Sequence, residues 1–464
     1  MNAELWQQPI ETLAPAIRSG KVSPVALTEA CLDRIGQVDG ELNSFIHISK
    51  HALQAARAAE AEIRKGKWRG PLHGIPVGVK DNYLTQDMPT TAGSTAPGLA
   101  FPLRDSGAVS RLRAAGAVLI GKTRTHEFAW GNVTPLVSNP WDVTRVPSGS
   151  SGGSGAAVAA GLCISALGSD TGGSIRMPAA ACGTVGLKAT FGRVSRDGVV
   201  PHSWSLDHAG ALTRTVADTA LMMQVLAGYD AADPACQAQP VPDYAKALNK
   251  PVKDLKIGVC RNHFFDRVQE DVARAIEQAI DDLAQAGAQI QEFNIPLLEY
   301  GLGAIYAIEL SSSTAYHDAS LRAGRVSHYE PDVRMLVEMG RLVTGPDYLL
   351  AEQYRSALMQ AYRKVFDTVD VVLGPTTPIT AWKRGEWTVK VAGQAESVLA
   401  AYWRFTYPYN LTGLPAISVP CGFDRDGLPI GLQIAARPFD EATVLRVAHA
   451  YERGHEWKNM RPDI

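Results

Sequence analysis

No CxxC pair occurs among the six cysteines, Cys31, Cys163, Cys182, Cys236, Cys260 and Cys421, and several of them lie inside apolar runs. A disulfide framework is not expected, the thiols read as reduced core residues, and no metal site or cofactor is predicted. Charge of one sign is missing as well. Lys+Arg 45 against Asp+Glu 47 leaves a net charge of −2, which gives no footprint for nucleic acid or an anionic membrane. The first residues, MNAELWQQPIETLAPAI, contain no basic region followed by an apolar one, and the location read from them is the cytoplasm. The apolar run 156–167 is too short to cross a bilayer. No repeat, low-complexity tract or Pro-rich linker interrupts the 464 residues, of which 46% are hydrophobic. One large domain over 1–464 with a sizeable core is expected.

What the chain does have is a pair of Gly/Ser knots, 148–155 and 168–174, on either side of that apolar run. Glycine loses much backbone entropy in a helix or strand, and serine competes for backbone hydrogen bonds, so both knots are predicted as tight loops. Loops of this kind turn successive N–H groups toward one point and place serine hydroxyls beside them, a setting for nucleophilic chemistry.

Around the knots the pattern alternates. Ser23-Pro24 starts a helix predicted to run to about residue 35, and further helices are expected over 50–65, 106–115, 270–286, 305–323, 346–366 and 441–453. Strands are expected at 75–79, 117–120, 255–260, 288–293, 369–373, 416–419 and 430–434. Several of these are continuously apolar, so the predicted fold is α/β, a large mixed β-sheet covered by helices on both faces.

Two motif matches fail on context. Gly116 to Thr123 satisfies G-x-x-x-x-G-K-[ST], but its middle is an apolar strand rather than an exposed loop. Gly149 to Gly153 satisfies G-x-S-x-G, yet no strand leads into it, and none of His202, His208, His317, His328, His449 or His455 stands in a setting that marks a catalytic base. Lys80 has a better setting. At the end of an apolar strand its ammonium is destabilised by burial, which suits a general base; the alternative is a lysine paired with Asp81 or reaching solvent.

Gly78-Val79-Lys80-Asp81, then Gly149-Ser150-Ser151-Gly152-Gly153-Ser154 and the stretch from Gly168 to Pro178, resemble the amidase signature family. Gly186-Leu187-Lys188, Gly192-Arg193-Val194-Ser195, Ser205-Leu206-Asp207, Gly374-Pro375-Thr376-Thr377-Pro378, residues 413–420 and Pro429-Ile430-Gly431-Leu432-Gln433 extend the similarity over most of the chain. The resemblance implies the amidase signature fold and a Ser, cis-Ser, Lys triad with Ser174 as nucleophile, Ser150 as the cis-serine and Lys80 as base. Ser148 departs from the family's usual glycine and leaves the triad positions intact. The backbone N–H groups of Thr171, Gly172, Gly173 and Ser174 are the expected oxyanion hole. Asp170 and Arg176 read as a buried pair shaping the turn, and Ser151 and Ser154 as partners for backbone groups.

The implied activity is hydrolysis of the C–N bond of a small-molecule amide through an acyl-enzyme. Phe128, Trp130, Trp204, Tyr402, Trp403 and Phe405 favour an aryl or apolar substrate, with specificity expected from about 264–344 and from 382–405. The rival within the family is the glutaminase subunit of a tRNA-dependent amidotransferase. Arg355 matches the arginine it uses for glutamine, but Trp403 stands where its acid is expected. The small-molecule amide is the partner read from the sequence, without nucleic acid or membrane, and a homodimer is the assembly considered.

Overall fold

A computed structural model describes residues 4–253 and 255–464. In chain order its strands are β1 (Phe45–Ile48), β2 (Pro76–Lys80), β3 (Val118–Thr123), β4 (Ser165–Asp170), β5 (Val185–Lys188), β6 (His208–Thr213), β7 (Lys256–Cys260), β8 (Gln289–Phe293), β9 (Val371–Pro375), β10 (Thr388–Val391), β11 (Gln394–Ser397), β12 (Ala416–Phe423) and β13 (Pro429–Ala436). An 11-stranded sheet has the spatial order β1-β3-β2-β4-β6-β5-β12-β13-β9-β7-β8, while β10 and β11 form a separate hairpin. The sheet is mixed: β2 is parallel to β3 and β4, the run from β4 to β9 is antiparallel, and β9, β7 and β8 are parallel again.

Every residue of β2, β3, β4, β5, β6, β9 and β13 is buried, as a sheet covered by helices on both faces requires. Local signals start many of those helices. Ser23 accepts from the N–H groups of Val25 and Ala26 at the head of Pro24–Leu42, Ser106 accepts from Val109 N at the head of Gly107–Ala114, and Thr344 and Asp347 form a capping box at the head of Gly345–Val365. Among the described residues no helix is long and apolar enough to cross a membrane.

The Gly/Ser knots are not both loops. Residues Gly152–Ala159 form a helix, and Gly168 and Ser169 lie inside β4. The reason is close approach: a Cβ on Gly153 would lie 2.5 Å from Arg124 O and 2.6 Å from both Arg124 N and Ser44 O. Glycine here lets a helix press against neighbouring backbone, and that packing outweighs a propensity loss of about 1 kcal/mol. The helix expected to end near 35 continues to Leu42, and 305–323 divides into Gly301–Tyr316 and Asp318–Arg322. The phosphate-loop lookalike is the interior of β3, where Lys122 is buried.

Candidate active site

Three adjacent parts of the fold meet at the end of β2. The strand delivers Lys80, the turn 148–151 delivers Ser150 and Ser151, and β4 delivers Ser169 before turning through 171–174 to Ser174. Lys80 Nζ donates to Ser150 Oγ at 2.8 Å, Ser151 Oγ at 2.9 Å and Ser169 Oγ at 2.9 Å. Its side chain is wholly buried, and burial lowers its pKa to about 7 against the opposing pull of Asp170 and Asp207. Asp81 points the other way, toward Lys122 Nζ at 3.3 Å and Thr91, because successive residues on an extended strand face opposite sides. Lys80 therefore has no adjacent carboxylate to keep it charged.

The serines around it differ in what their protons do. Ser151 Oγ donates to Ser169 O at 3.2 Å, and Ser169 Oγ also accepts from Asn82 Nδ2 at 3.0 Å. Ser150 Oγ has Lys80 as its hydrogen-bond partner. The Gly149–Ser150 peptide is cis, and Ser150 O accepts from His126 N at 3.2 Å and Thr134 Oγ1 at 3.3 Å. Ser154 Oγ donates to Leu167 O at 2.8 Å. Ser151 N donates to Ser174 O at 3.3 Å, which draws the two loops together; the Oγ atoms of Ser150 and Ser174 are not hydrogen-bonded to one another among the described residues.

Asp170 organises the turn that carries Ser174. Its carboxylate accepts from Ile175 N at 3.1 Å and from Arg176 Nε at 3.0 Å, and Arg176 Nη2 reaches its other oxygen at 2.9 Å. Burial works against the Asp170 charge, but Arg176, Lys188 and Asn410 outweigh it and hold the carboxyl well below its ordinary range. Thr171 Oγ1 donates to Asp207 Oδ1 at 2.7 Å, and Thr406 Oγ1 to Gly172 O at 2.6 Å. The N–H groups of Gly172, Gly173 and Ser174 have no acceptor among the described residues. A turn fixed by its carbonyls and side chains, with its N–H groups uncommitted, can bind an oxyanion.

Ser174 opens onto a narrow cavity lined also by Trp130, Thr171, Met177, His202, Tyr306, Glu309 and Trp403. Of the aromatic residues singled out in the sequence, Trp130 and Trp403 are in this wall. Phe128 is packed in a separate apolar cluster, 4.5 Å from His317 and 4.7 Å from Tyr329 between ring centroids. Trp204 is 62% exposed and borders a surface hollow with Arg196. Tyr402 packs at a tilt against Trp382 in the interior, and Phe405 is buried among other aromatic rings. Arg355 donates to Leu411 O at 2.7 Å and to Ser205 Oγ at 3.1 Å and O at 3.0 Å, which commits its guanidinium to backbone ties away from the cavity.

Several residues of the site carry no signal strong enough to single them out in the sequence. Ser169 and Asn82 bind around Lys80, and Asp207 holds the 171 turn and accepts from His202 N at 2.9 Å and Ser203 N at 3.0 Å. Glu309 and His202 form a buried polar pair in the cavity wall, with Nε2 and Oε1 3.5 Å apart.

The large mixed sheet thus buries a weakly basic lysine among serines, beside a largely apolar cavity. The sequence model of the Amidase family matches residues 26–445, and the chain belongs to that family of amide C–N hydrolases. It is 44% identical over its full length to an amidase of Pseudomonas putida, covering 99% of that protein. It is 40% identical over 99% of its length to a glutamyl-tRNA(Gln) amidotransferase subunit of Chloroflexus aggregans, covering 99% of that protein. Among solved structures it resembles, with a TM-score of 0.92 and 34% identity over 96% of this chain and 98% of the other, a protein from an unexpected vestigial complex that reveals the origins of an s-triazine catabolic enzyme.

Proposed function

We propose that this protein is a stand-alone amidase that hydrolyses a small carboxylic amide with an aryl or apolar group, using Ser174 as nucleophile, Ser150 as proton relay and Lys80 as base. The observation that carries this reading is the buried Lys80, with a pKa lowered to about 7 and Ser150 Oγ at 2.8 Å. Neutral Lys80 accepts the Ser150 proton as Ser150 accepts that of Ser174, and Ser174 Oγ bonds to the amide carbon. The relay contact between the two serines closes in the substrate complex, as catalytic hydrogen bonds often do. The N–H groups of residues 171–174 hold the developing oxyanion. The proton returns through Ser150 to the leaving nitrogen as the C–N bond breaks, and water hydrolyses the acyl-enzyme by the same route in reverse. Residues 1–464 act as one domain in this reading, and segments 264–344 and 382–405 shape the substrate, since Tyr306, Glu309, Leu336, Leu399 and Trp403 enter the cavity wall from them. Free, buried cysteines support a cytoplasmic setting, and a homodimer is the assembly we favour.

A second reading is the glutaminase subunit of a tRNA-dependent amidotransferase, favoured by 40% identity to one such protein over 99% of the chain. The absence, among the described residues, of Arg or Lys from the cavity lining and the committed Arg355 weigh against it, because a glutamine carboxylate needs a cation. The deciding measurement is ammonia or amine release from aryl, aliphatic and carboxylated amides and from glutamine, with the wild type beside Ser174→Ala. Turnover of simple amides that vanishes in the variant is the expected result. Turnover of glutamine alone, or only with partner proteins added, would establish the second reading.

A further inference from the structure

The cavity wall contains one ionisable pair that the amidase chemistry leaves idle. Glu309, on the helix Gly301–Tyr316, is 2% exposed, and His202 is 4% exposed. Their closest atoms are 3.5 Å apart, too long for a strong hydrogen bond, and His202 Nδ1 is buried without a hydrogen-bond partner. The His202 ring is instead held edge-to-face by Trp130, 4.2 Å between centroids, and Trp130 Nε1 is tied to Ser313 Oγ at 2.9 Å. A buried carboxylate with so little internal satisfaction is costly unless something else completes it. Burial raises its pKa, His202 opposes that rise, and the negative charges of Asp207 and Asp170 add to it. Among the described residues no Lys or Arg lines the cavity to serve as its counter-ion.

We infer that Glu309 is a specificity-determining residue that receives a primary ammonium group carried by the amide substrate, with Trp130, Tyr306 and Trp403 in the same cavity wall. Carboxylate and aromatic walls together are what an ammonium ion prefers over a neutral group. Ser174 and Glu309 line the same cavity, so one small molecule can present its amide to the first and its ammonium to the second. This inference rests on the amidase reading for its reacting group and adds to the apolar surroundings a defined polar end.

Three amides of nearly equal shape test it: 4-(aminomethyl)benzamide, 4-(hydroxymethyl)benzamide and 4-ethylbenzamide. Binding to Ser174→Ala protein is measured by calorimetry, and turnover by the wild type in parallel. The aminomethyl compound is expected to bind about tenfold or more tighter than either neutral analogue, a difference the size of one charge-assisted contact. Glu309→Gln in the same background should erase that preference, so that the aminomethyl compound binds no tighter than the ethyl compound, and Glu309→Asp, which keeps the charge, should retain part of it. Equal binding of all three compounds, or a preference that survives Glu309→Gln in protein with an unaltered melting temperature, overturns the inference. Ammonium-selective binding that Glu309→Gln abolishes, without turnover of any of the three amides by the wild type, would overturn the inference as a statement about an amide substrate and leave Glu309 as an ammonium-binding residue only.

Discussion

A lysine at the end of a wholly buried strand must either find a counter-ion or give up its proton, and Lys80 sits among hydroxyls rather than carboxylates. Below a pH of about 7 it is an ammonium and cannot accept a proton; above it the amine is free. We predict that kcat/KM rises through an apparent pKa near 7 to a plateau, and a profile flat across that range would exclude Lys80 as base. Lys80→Met should lower kcat by about 10²–10⁴-fold, the range of general base catalysis, and Ser174→Ala by more. Ser150→Ala should cost much of the rate with an unchanged melting curve. The same group makes a stability prediction. Its folded pKa of about 7 lies below the ordinary 10.5, so between those values the unfolded chain binds more protons and stability rises with pH. Urea titrations of wild type and Lys80→Met should converge as the pH rises through that window, with the wild type the less stable at its lower end. The apolar run 75–79 ending in Lys80 singles the lysine out as a candidate, and the family resemblance supplies its expected role as base. Glu309 and His202 were not legible, because they meet across distant parts of the chain and Glu309 lies in an otherwise apolar helix pattern.

At the scale of elements, the glycines divide into two kinds with different tests. A Cβ on Gly153 would strike backbone of Arg124 and Ser44, which cannot move aside. Gly153→Ala should therefore cost about 2–4 kcal/mol, seen as a shifted denaturation midpoint. A Cβ on Gly172 would lie 1.8 Å from Trp403 Nε1, a side chain on the short helix Val398–Trp403. Gly172→Ala should lower activity far more than stability, and the loss should shrink in a Trp403→Ala background; equal losses in both backgrounds would separate the two residues. Most long strands and helices could be read from apolar spacing and caps. β5 and β6 could not, since VGLK and HAGALT are short and glycine-bearing and are strands because neighbours pair with them on both sides. The helix Gly152–Ala159 was hidden by its own composition: four small residues at its start read as a loop until Arg124 and Ser44 are placed against it.

For the molecule as a whole, Arg176 joins distant parts of the chain. From the head of the helix Arg176–Cys182 it reaches Asp170, Thr406 O at 2.9 Å, Asn410 Oδ1 at 2.6 Å on the helix Tyr407–Leu411, and Gln433 Oε1 at 2.7 Å on β13. Arg176→Met leaves Asp170 buried without its partner and is expected to cost about 3–5 kcal/mol of folding stability, measured by chemical denaturation. The mixed sheet and its helical cover follow from the alternation of elements along the chain, whereas its strand order does not, because pairings such as β5 with β12 join segments more than two hundred residues apart.

The β10–β11 hairpin stands apart from the large sheet, and the helix that follows it brings Leu399 and Trp403 to the cavity, where Trp403 meets Tyr306 of the helix Gly301–Tyr316 edge-on. The proposed reacting groups come from the end of β2 and the turns beside it, which are buried in the interior, while much of the wall comes from two other segments. On the proposed function, a designer wanting a different amide would regraft residues 301–342 and 388–403 and leave Lys80, Ser150 and Ser174 alone, as one changes the jaws of a tool and keeps its cutting edge.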